Sequence, residues 1–285
     1  MAWRASFLVN YSKAQSHSPK SLADFPEHSA DSPLSVHAMT IAYHQKPVLW
    51  DIEYEAPEKS LVAVVGPNGA GKTTFIKACL GLVPSASGRV EFWGENYAAA
   101  RKRIAYLPQR ESVDWDFPIS ALNVVVMGRY HLIGWLKRVS KRHKEAALEY
   151  LRIVGMADYA DRQINQLSGG QQQRVFLARA LAQEADLYFM DEPFAGVDAA
   201  TQIAIFEVLT SLKNEGKTVI CVHHDLVTVP DYFDHALLIN TRVIGAGETK
   251  QVFTEENLKK TYGGRLVLLD EVANAIVKAS RGTEK

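Results

Sequence analysis

Residues 61–80 read LVAVVGPNGAGKTTFIKACL, an apolar run that enters a glycine-rich turn and leaves it through a lysine and two threonines. The turn, Gly66-Pro67-Asn68-Gly69-Ala70-Gly71-Lys72-Thr73, satisfies G-x-x-x-x-G-K-[ST], with a strand-like segment before it and helical spacing after it. Glycines let the backbone curl until the N–H groups of Gly66, Asn68, Gly69 and Gly71 converge on one anion. The helix start that follows, with Thr74, adds its partial positive charge. Lys72 is then placed to reach the β- and γ-phosphates of a nucleotide, and Thr73 to offer a hydroxyl oxygen to Mg²⁺. A second group ends the segment LYFMDE at residues 187–192. Its apolar residues predict a buried parallel strand, and the carboxyl end of such a strand is where these sheets hold ligands. Asp191 there could contact Mg²⁺, and Glu192 could polarise the water that attacks the γ-phosphate. Taken alone, the two acids read as ordinary solvated residues ending a strand, and it is the glycine turn that favours the Mg²⁺ reading. The third group is LSGGQQQR at residues 167–174. Ser168 sits at a predicted helix N-terminus, where its hydroxyl and the glycine N–H groups form either a further anion site or an ordinary capped turn.

These groups need a scaffold, and the apolar pattern predicts one. Residues 37–53 read as a hairpin feeding a strand at 61–65, and further strands are predicted at 89–94, 103–107, 187–190, 218–222, 235–240 and 242–248. Helical spacing follows the glycine turn and recurs at 170–183, 201–216 and 255–264, while residues 121–160 form a helical insert. Strands alternating with helices imply an α/β fold with a mostly parallel sheet covered on both faces. Residues 1–35 read as an extended leader and 265–285 as a helical extension; the opening MAWRASFLVN lacks the pattern of a secretion signal.

Composition narrows the function classes. The 32 basic and 32 acidic residues cancel, so no polyanion-binding surface and no nucleic-acid partner is expected. The only two cysteines, Cys79 and Cys221, lie in apolar surroundings and read as buried free thiols. The richest apolar stretch, residues 121–136, is interrupted by Arg129 and His131, so no segment is expected to span a membrane. Adjacent residues at a strand end point to opposite faces, which makes His223 and His224 a poor pair for one metal ion. Asp114 and Asp116 could be metal ligands or surface acids flanking a buried Trp115.

Together the three groups resemble the phosphate turn, acidic strand end and signature sequence of the ATP-binding cassette (ABC) ATPases, and the resemblance extends over residues 36–264. It implies a nucleotide-binding domain with a RecA-like core, an antiparallel β subdomain and an α-helical subdomain at about 110–167. It also implies roles. Tyr43 matches the aromatic that stacks on adenine, and Gln109 the loop glutamine that joins Thr73 and Asp191 around Mg²⁺. Ser168, Gly169, Gly170 and Gln171 match the signature, and Asp198 the following loop. His224, which directly precedes Asp225, matches the γ-phosphate switch histidine, leaving His223 a packing or supporting role. Without the resemblance Tyr43 is a half-buried hairpin aromatic and Gln109 an ordinary loop residue. Lys72, Gln109, Glu192 and His224 are the implied catalytic set, with ATP and Mg²⁺ as the bound groups.

In the family the signature of one chain faces the phosphates held by another, so a head-to-tail pair of chains with two ATP molecules is implied. The segment 110–135, with MDEPFAGVD and VHHDL, resembles the ATPases of bacterial uptake systems for manganese, zinc or iron. By that resemblance the chain energises a metal importer, manganese first, from the cytoplasmic face of the membrane. Its partners are transmembrane permease subunits and, indirectly, an extracytoplasmic metal-binding protein. A soluble ABC ATPase acting as a mechanical switch is the alternative. The family docks its permease just after Gln109, where Val113, Trp115 and Phe117 could supply an apolar pocket or simply pack the insert on the core.

Overall fold

Strands covered on both faces read as nearly continuous apolar runs, and three segments of this chain do so, with only Thr218 and Asp191 as polar ends. In the computed structural model, which describes residues 31–43, 46–113, 115–134 and 137–263, Leu61–Val65, Leu187–Asp191 and Thr218–Val222 are buried throughout. In chain order the strands are β1 (Ser35–Tyr43), β2 (Lys46–Glu55), β3 (Leu61–Val65), β4 (Ser87–Glu91), β5 (Ile104–Leu107), β6 (Leu187–Asp191), β7 (Thr218–Val222), β8 (His235–Asn240) and β9 (Arg242–Glu248). Six of them form one sheet in the order β5-β6-β7-β3-β8-β9. It is parallel except for β9, which runs back along β8. The others form an antiparallel sheet, β2-β1-β4. The α/β architecture with its antiparallel subdomain is therefore as the sequence implies.

The longer helices are α1 (Lys72–Cys79), α2 (Ala121–Gly128), α3 (Lys141–Ile153), α4 (Gly169–Leu181), α5 (Ala199–Asn214) and α6 (Glu255–Tyr262). Side-chain caps fix four of their starts: Ser120, Ser168, Asp198 and Thr254 each accept a backbone N–H three residues on. Alternation along the central strands divides the core in two. Ala63, Met190 and Cys221 face α2 to α5, whereas Val62, Phe189 and Val222 face α1 and the antiparallel sheet. Cys221 and Cys79 fall in different halves, and both are free and buried. Their burial raises both thiol pKa values, which keeps the thiols protonated.

The expectations for residues 1–30 and 264–285, most of the leader and the helical extension, lie outside the described residues. Ser32, Leu34 and Ser35, counted with the extended leader in the sequence reading, are instead buried. The Ser32 hydroxyl lies 3.0 Å from both the Leu34 and the Ala56 carbonyl oxygens, with one proton to share between them, and Ser35 opens β1. Among the described residues no helix is long and apolar enough to cross a membrane.

Trp115 is tied inward. Its ring lies 4.7 Å from that of Phe176 on α4, and its indole N–H donates to the Arg110 carbonyl at 2.8 Å. Phe117 is 56% exposed. Trp115→Ala is therefore expected to cost about 2 kcal/mol of stability by truncating a half-buried ring. Thermal denaturation should register roughly 5 °C of lost Tm. An unchanged Tm would return Trp115 to the docking surface.

Candidate nucleotide-binding site

The phosphate turn joins the buried β3 to α1, and two of its glycines are dictated by space and backbone. A Cβ on Gly66 would come within 2.0 Å of the Ile239 carbonyl oxygen of β8. Gly71, with φ 97°, has a left-handed conformation, and a Cβ there would meet Leu49 at 2.6 Å. The turn so placed brings Lys72 to the mouth of the sheet, buried to 6% exposure. Its ammonium donates to the Gly66 and Pro67 carbonyls at 2.8 and 3.0 Å. Burial lowers the Lys72 pKa, and the carboxylates of Glu192 and Asp191 oppose that shift.

β6 delivers the acids from the other side. The Thr73 hydroxyl donates to Asp191 Oδ1 at 2.9 Å, while Asp191 Oδ2 is buried with no hydrogen-bond partner among the described residues. Burial pushes Asp191 up to about 6, against the Thr73 bond that favours its ionised form. A carboxylate with an unused buried oxygen beside the Thr73 hydroxyl, with Gln109 lining the same cleft as Thr73, offers the oxygen donors that suit Mg²⁺. Among the described residues no group of three His, Cys, Asp or Glu is arranged to hold a metal. Asp114 lies outside the described residues.

Glu192 follows with a left-handed backbone, φ 56°, a conformation that costs a non-glycine residue on the order of 1–3 kcal/mol. Its carboxylate meets the segment that follows β7, where Glu192 Oε1 lies 2.6 Å from His224 Nε2. His223, on the opposite face, is buried among Phe194, Phe206 and Phe233, with ring centroids 5.1, 6.0 and 5.2 Å away. Burial pushes its pKa down to about 4.

Tyr43, Asn68, Gly69, Gly71, Lys72, Thr73, Thr74, Gln109, Glu192 and His224 line one cleft of about 820 Å³. Gly66 and Asp191 join it through Lys72 and Thr73. Val48 and Ala70 also line it, and neither was singled out from sequence because an apolar wall residue has no chemical signature. The other predicted residues do not line this cleft. Ser168 and Gln171 close a capping box at the start of α4, and Asp198 caps α5 by accepting from Thr201 N–H at 2.8 Å. These two helix starts adjoin each other: a Cβ on Gly170 would lie 3.8 Å from the Val197 side chain. Arg110, which the sequence did not mark, donates to Gln172 Oε1 at 3.0 Å and so links the residue after Gln109 to α4.

The profile of the ABC transporter family matches residues 49–195. The chain is 61% identical over 239 residues to the manganese transport system ATP-binding protein MntB of Bacillus subtilis (strain 168), covering 84% of this chain and 96% of that one. It is 56% identical over 233 residues to the zinc transport system ATP-binding protein TroB of Treponema pallidum (strain Nichols), covering 82% and 88%. Among solved structures it resembles cbiO1 from Clostridium perfringens, part of the ABC transporter complex cbiONQ. That match has a TM-score of 0.68 at 26% identity and covers 86% and 99% of the two chains.

Proposed function

The chain belongs to the ABC transporter family as an ATP-hydrolysing subunit, and we propose that its ATP hydrolysis drives import of a divalent transition metal through separate transmembrane permease subunits. Manganese is the first choice of cargo, with zinc and iron as alternatives. The likeness to manganese and zinc transport subunits across more than four-fifths of the chain carries this reading. The chain itself sits peripherally on the cytoplasmic face of the membrane, and an extracytoplasmic metal-binding protein hands the ion to the permease.

The geometry of the cleft supports the assigned roles. Backbone N–H groups of the turn and the Lys72 ammonium hold the β- and γ-phosphates, with Tyr43 against the base. Bound at Thr73, Asp191 and Gln109, Mg²⁺ supplies charge neutralisation at the phosphate oxygens. Glu192 takes the proton of the attacking water, and His224, in contact with Glu192, faces the γ-phosphate. Ser168, Gly169, Gly170, Gln171 and Asp198 stand outside the cleft of their own chain, which favours a head-to-tail pair in which each signature completes the partner's site. Hydrolysis then removes charge that holds the pair closed.

For the permease we favour a groove lined by Tyr97, Tyr106, Met127 and Tyr130 together with Arg101, Lys102 and Arg179. It adjoins the region after Gln109, because the Phe176 ring that carries Trp115 also carries the Arg179 guanidinium, 4.7 Å from its centroid. Arg101, Lys102 and Arg179 form no ion pair among the described residues. An apolar segment bearing carboxylates complements such a surface.

Co-expression with the permease, followed by pull-down and uptake of manganese with zinc and iron as competitors, tests both parts. Manganese uptake that depends on this chain is expected. The double reversal Arg101→Glu with Lys102→Glu should weaken the pull-down about tenfold, equivalent to roughly 1.4 kcal/mol. Uptake of none of the three metals by the assembled complex would refute the transport reading, and an undiminished pull-down would remove the groove.

A further inference from the structure

We propose that His223 is a positioning residue for hydrolysis, holding the two loops that carry Glu192 and His224 in register with each other. The inference rests on the reading of Glu192 and His224 as the hydrolytic pair and concerns a residue that does not line the cleft.

The backbone of β7 ends at Val222, and His223 N–H makes its last ladder bond, donating to the Val64 carbonyl at 3.1 Å. Beyond that bond the segment is closed by side chains. Asp225 Oδ1 accepts from Val227 N–H at 3.0 Å, the Thr228 hydroxyl donates to the Asp225 carbonyl at 3.1 Å, and His223 Nε2 lies 2.7 Å from the Thr228 oxygen. Because Thr228 gives its single proton to Asp225, the imidazole proton is placed on Nε2, donating to Thr228. The result is a closed ring of contacts, His223 to Thr228 to Asp225, with His224 lying between its ends in sequence.

The same imidazole touches the other loop. Phe194 comes two residues after Glu192, and its ring meets His223 edge to face at 5.1 Å and 81°. Phe194 also stacks on Phe206 of α5 at 4.2 Å. Glu192 and His224 therefore reach their 2.6 Å contact from loops that share one buried ring behind them. An aliphatic residue would fill this aromatic cage without the cost of burying ring nitrogens. What a histidine adds here is the bond to Thr228, and that bond acts on loop geometry. Small displacements of catalytic groups have large kinetic effects.

The test uses the full chain with saturating Mg²⁺ and ATP. His223→Phe keeps the aromatic packing and loses only the Thr228 bond, while Thr228→Val, with little change of volume, removes the same bond from its other end together with the Thr228 bond to the Asp225 carbonyl. Each is expected to lower kcat about tenfold, with KM for ATP within about twofold of the parent. His223→Gln, whose amide can donate to Thr228, should recover at least about half of the parent kcat. The double variant His223→Phe with Thr228→Val should be no more than about twofold slower than Thr228→Val alone, since the bond that His223→Phe loses is already missing there. A merely structural role would lower Tm and leave kcat of the folded fraction in place. Parent-level kcat in a folded Thr228→Val chain, or single effects that multiply in the double variant, would overturn the proposal. A Glu192→Gln control separates the two failures: if it hydrolyses ATP at the parent rate, the reading of the hydrolytic pair has failed and takes the inference with it.

Discussion

A Glu192→Gln chain is expected to bind ATP as tightly as the parent and to hydrolyse it at least about a hundredfold more slowly, the usual range for losing a general base. The substitution keeps the side chain's shape and its ability to contact His224 Nε2, now 2.6 Å from the carboxylate. The phosphate turn, Lys72 and Thr73 are untouched, so affinity is preserved. Binding without turnover should then accumulate the closed pair, because the charge that holds the two copies together persists. Size-exclusion chromatography with light scattering should show a dimer with ATP and Mg²⁺ and a monomer without them. A variant that stays monomeric at saturating ATP, while still binding nucleotide, would contradict the two-site arrangement. One that turns over at the parent rate would move the general base away from Glu192.

The parts of the site that were legible in the sequence are those fixed by local chemistry. The turn at residues 66–73 carries its own meaning, since glycine, lysine and threonine each answer a demand that lies within a few residues. Asp191 and Glu192 became legible only beside the phosphate turn, since an apolar strand ending in two acids is by itself also an ordinary strand end. Ser168 was legible as a helix start and caps α4, whereas Asp198, read through the resemblance as a loop residue, caps α5. That they fall outside the cleft could not be read from spacing, because it depends on how the helical part is mounted on the sheet.

What stayed hidden depends on contacts between distant segments. For Trp115 the sequence left docking and packing both open, because Phe176, against which its ring lies, belongs to a helix that begins only after the whole insert has been crossed. Arg110 gave no signal for the same reason, its partner Gln172 being on that helix. The cage around His223 gathers Phe194 and Phe206 from the connection between β6 and β7 and Phe233 from the one between β7 and β8. Period-two reasoning could say that His223 and His224 diverge, but not what His223 would meet. The left-handed Glu192 backbone is hidden in another way, since glutamate has no preference for it and only the surrounding fold enforces it.

Lys72→Ala should lower ATP hydrolysis by about a thousandfold, roughly 4 kcal/mol of transition-state stabilisation. The size of the effect follows from where the ammonium sits. It is buried to 6% exposure and held to the turn by the Gly66 and Pro67 carbonyls. Its charge is therefore poorly screened by water, and a poorly screened charge acts strongly on phosphate oxygens. The neighbouring carboxylates of Asp191 and Glu192 make the loss worse. With Lys72 gone, the turn would offer a nucleotide only N–H dipoles while two acids remain nearby, so ATP affinity should also fall, by at least about tenfold. The fold should survive, because α1 keeps Phe75 and Ile76 in the core and alanine favours the helix. Steady-state phosphate release and titration with a fluorescent ATP analogue measure the two losses, and circular dichroism checks the fold. Hydrolysis at the parent rate by a folded Lys72→Ala chain would mean that the phosphates lie somewhere other than the turn at residues 66–73.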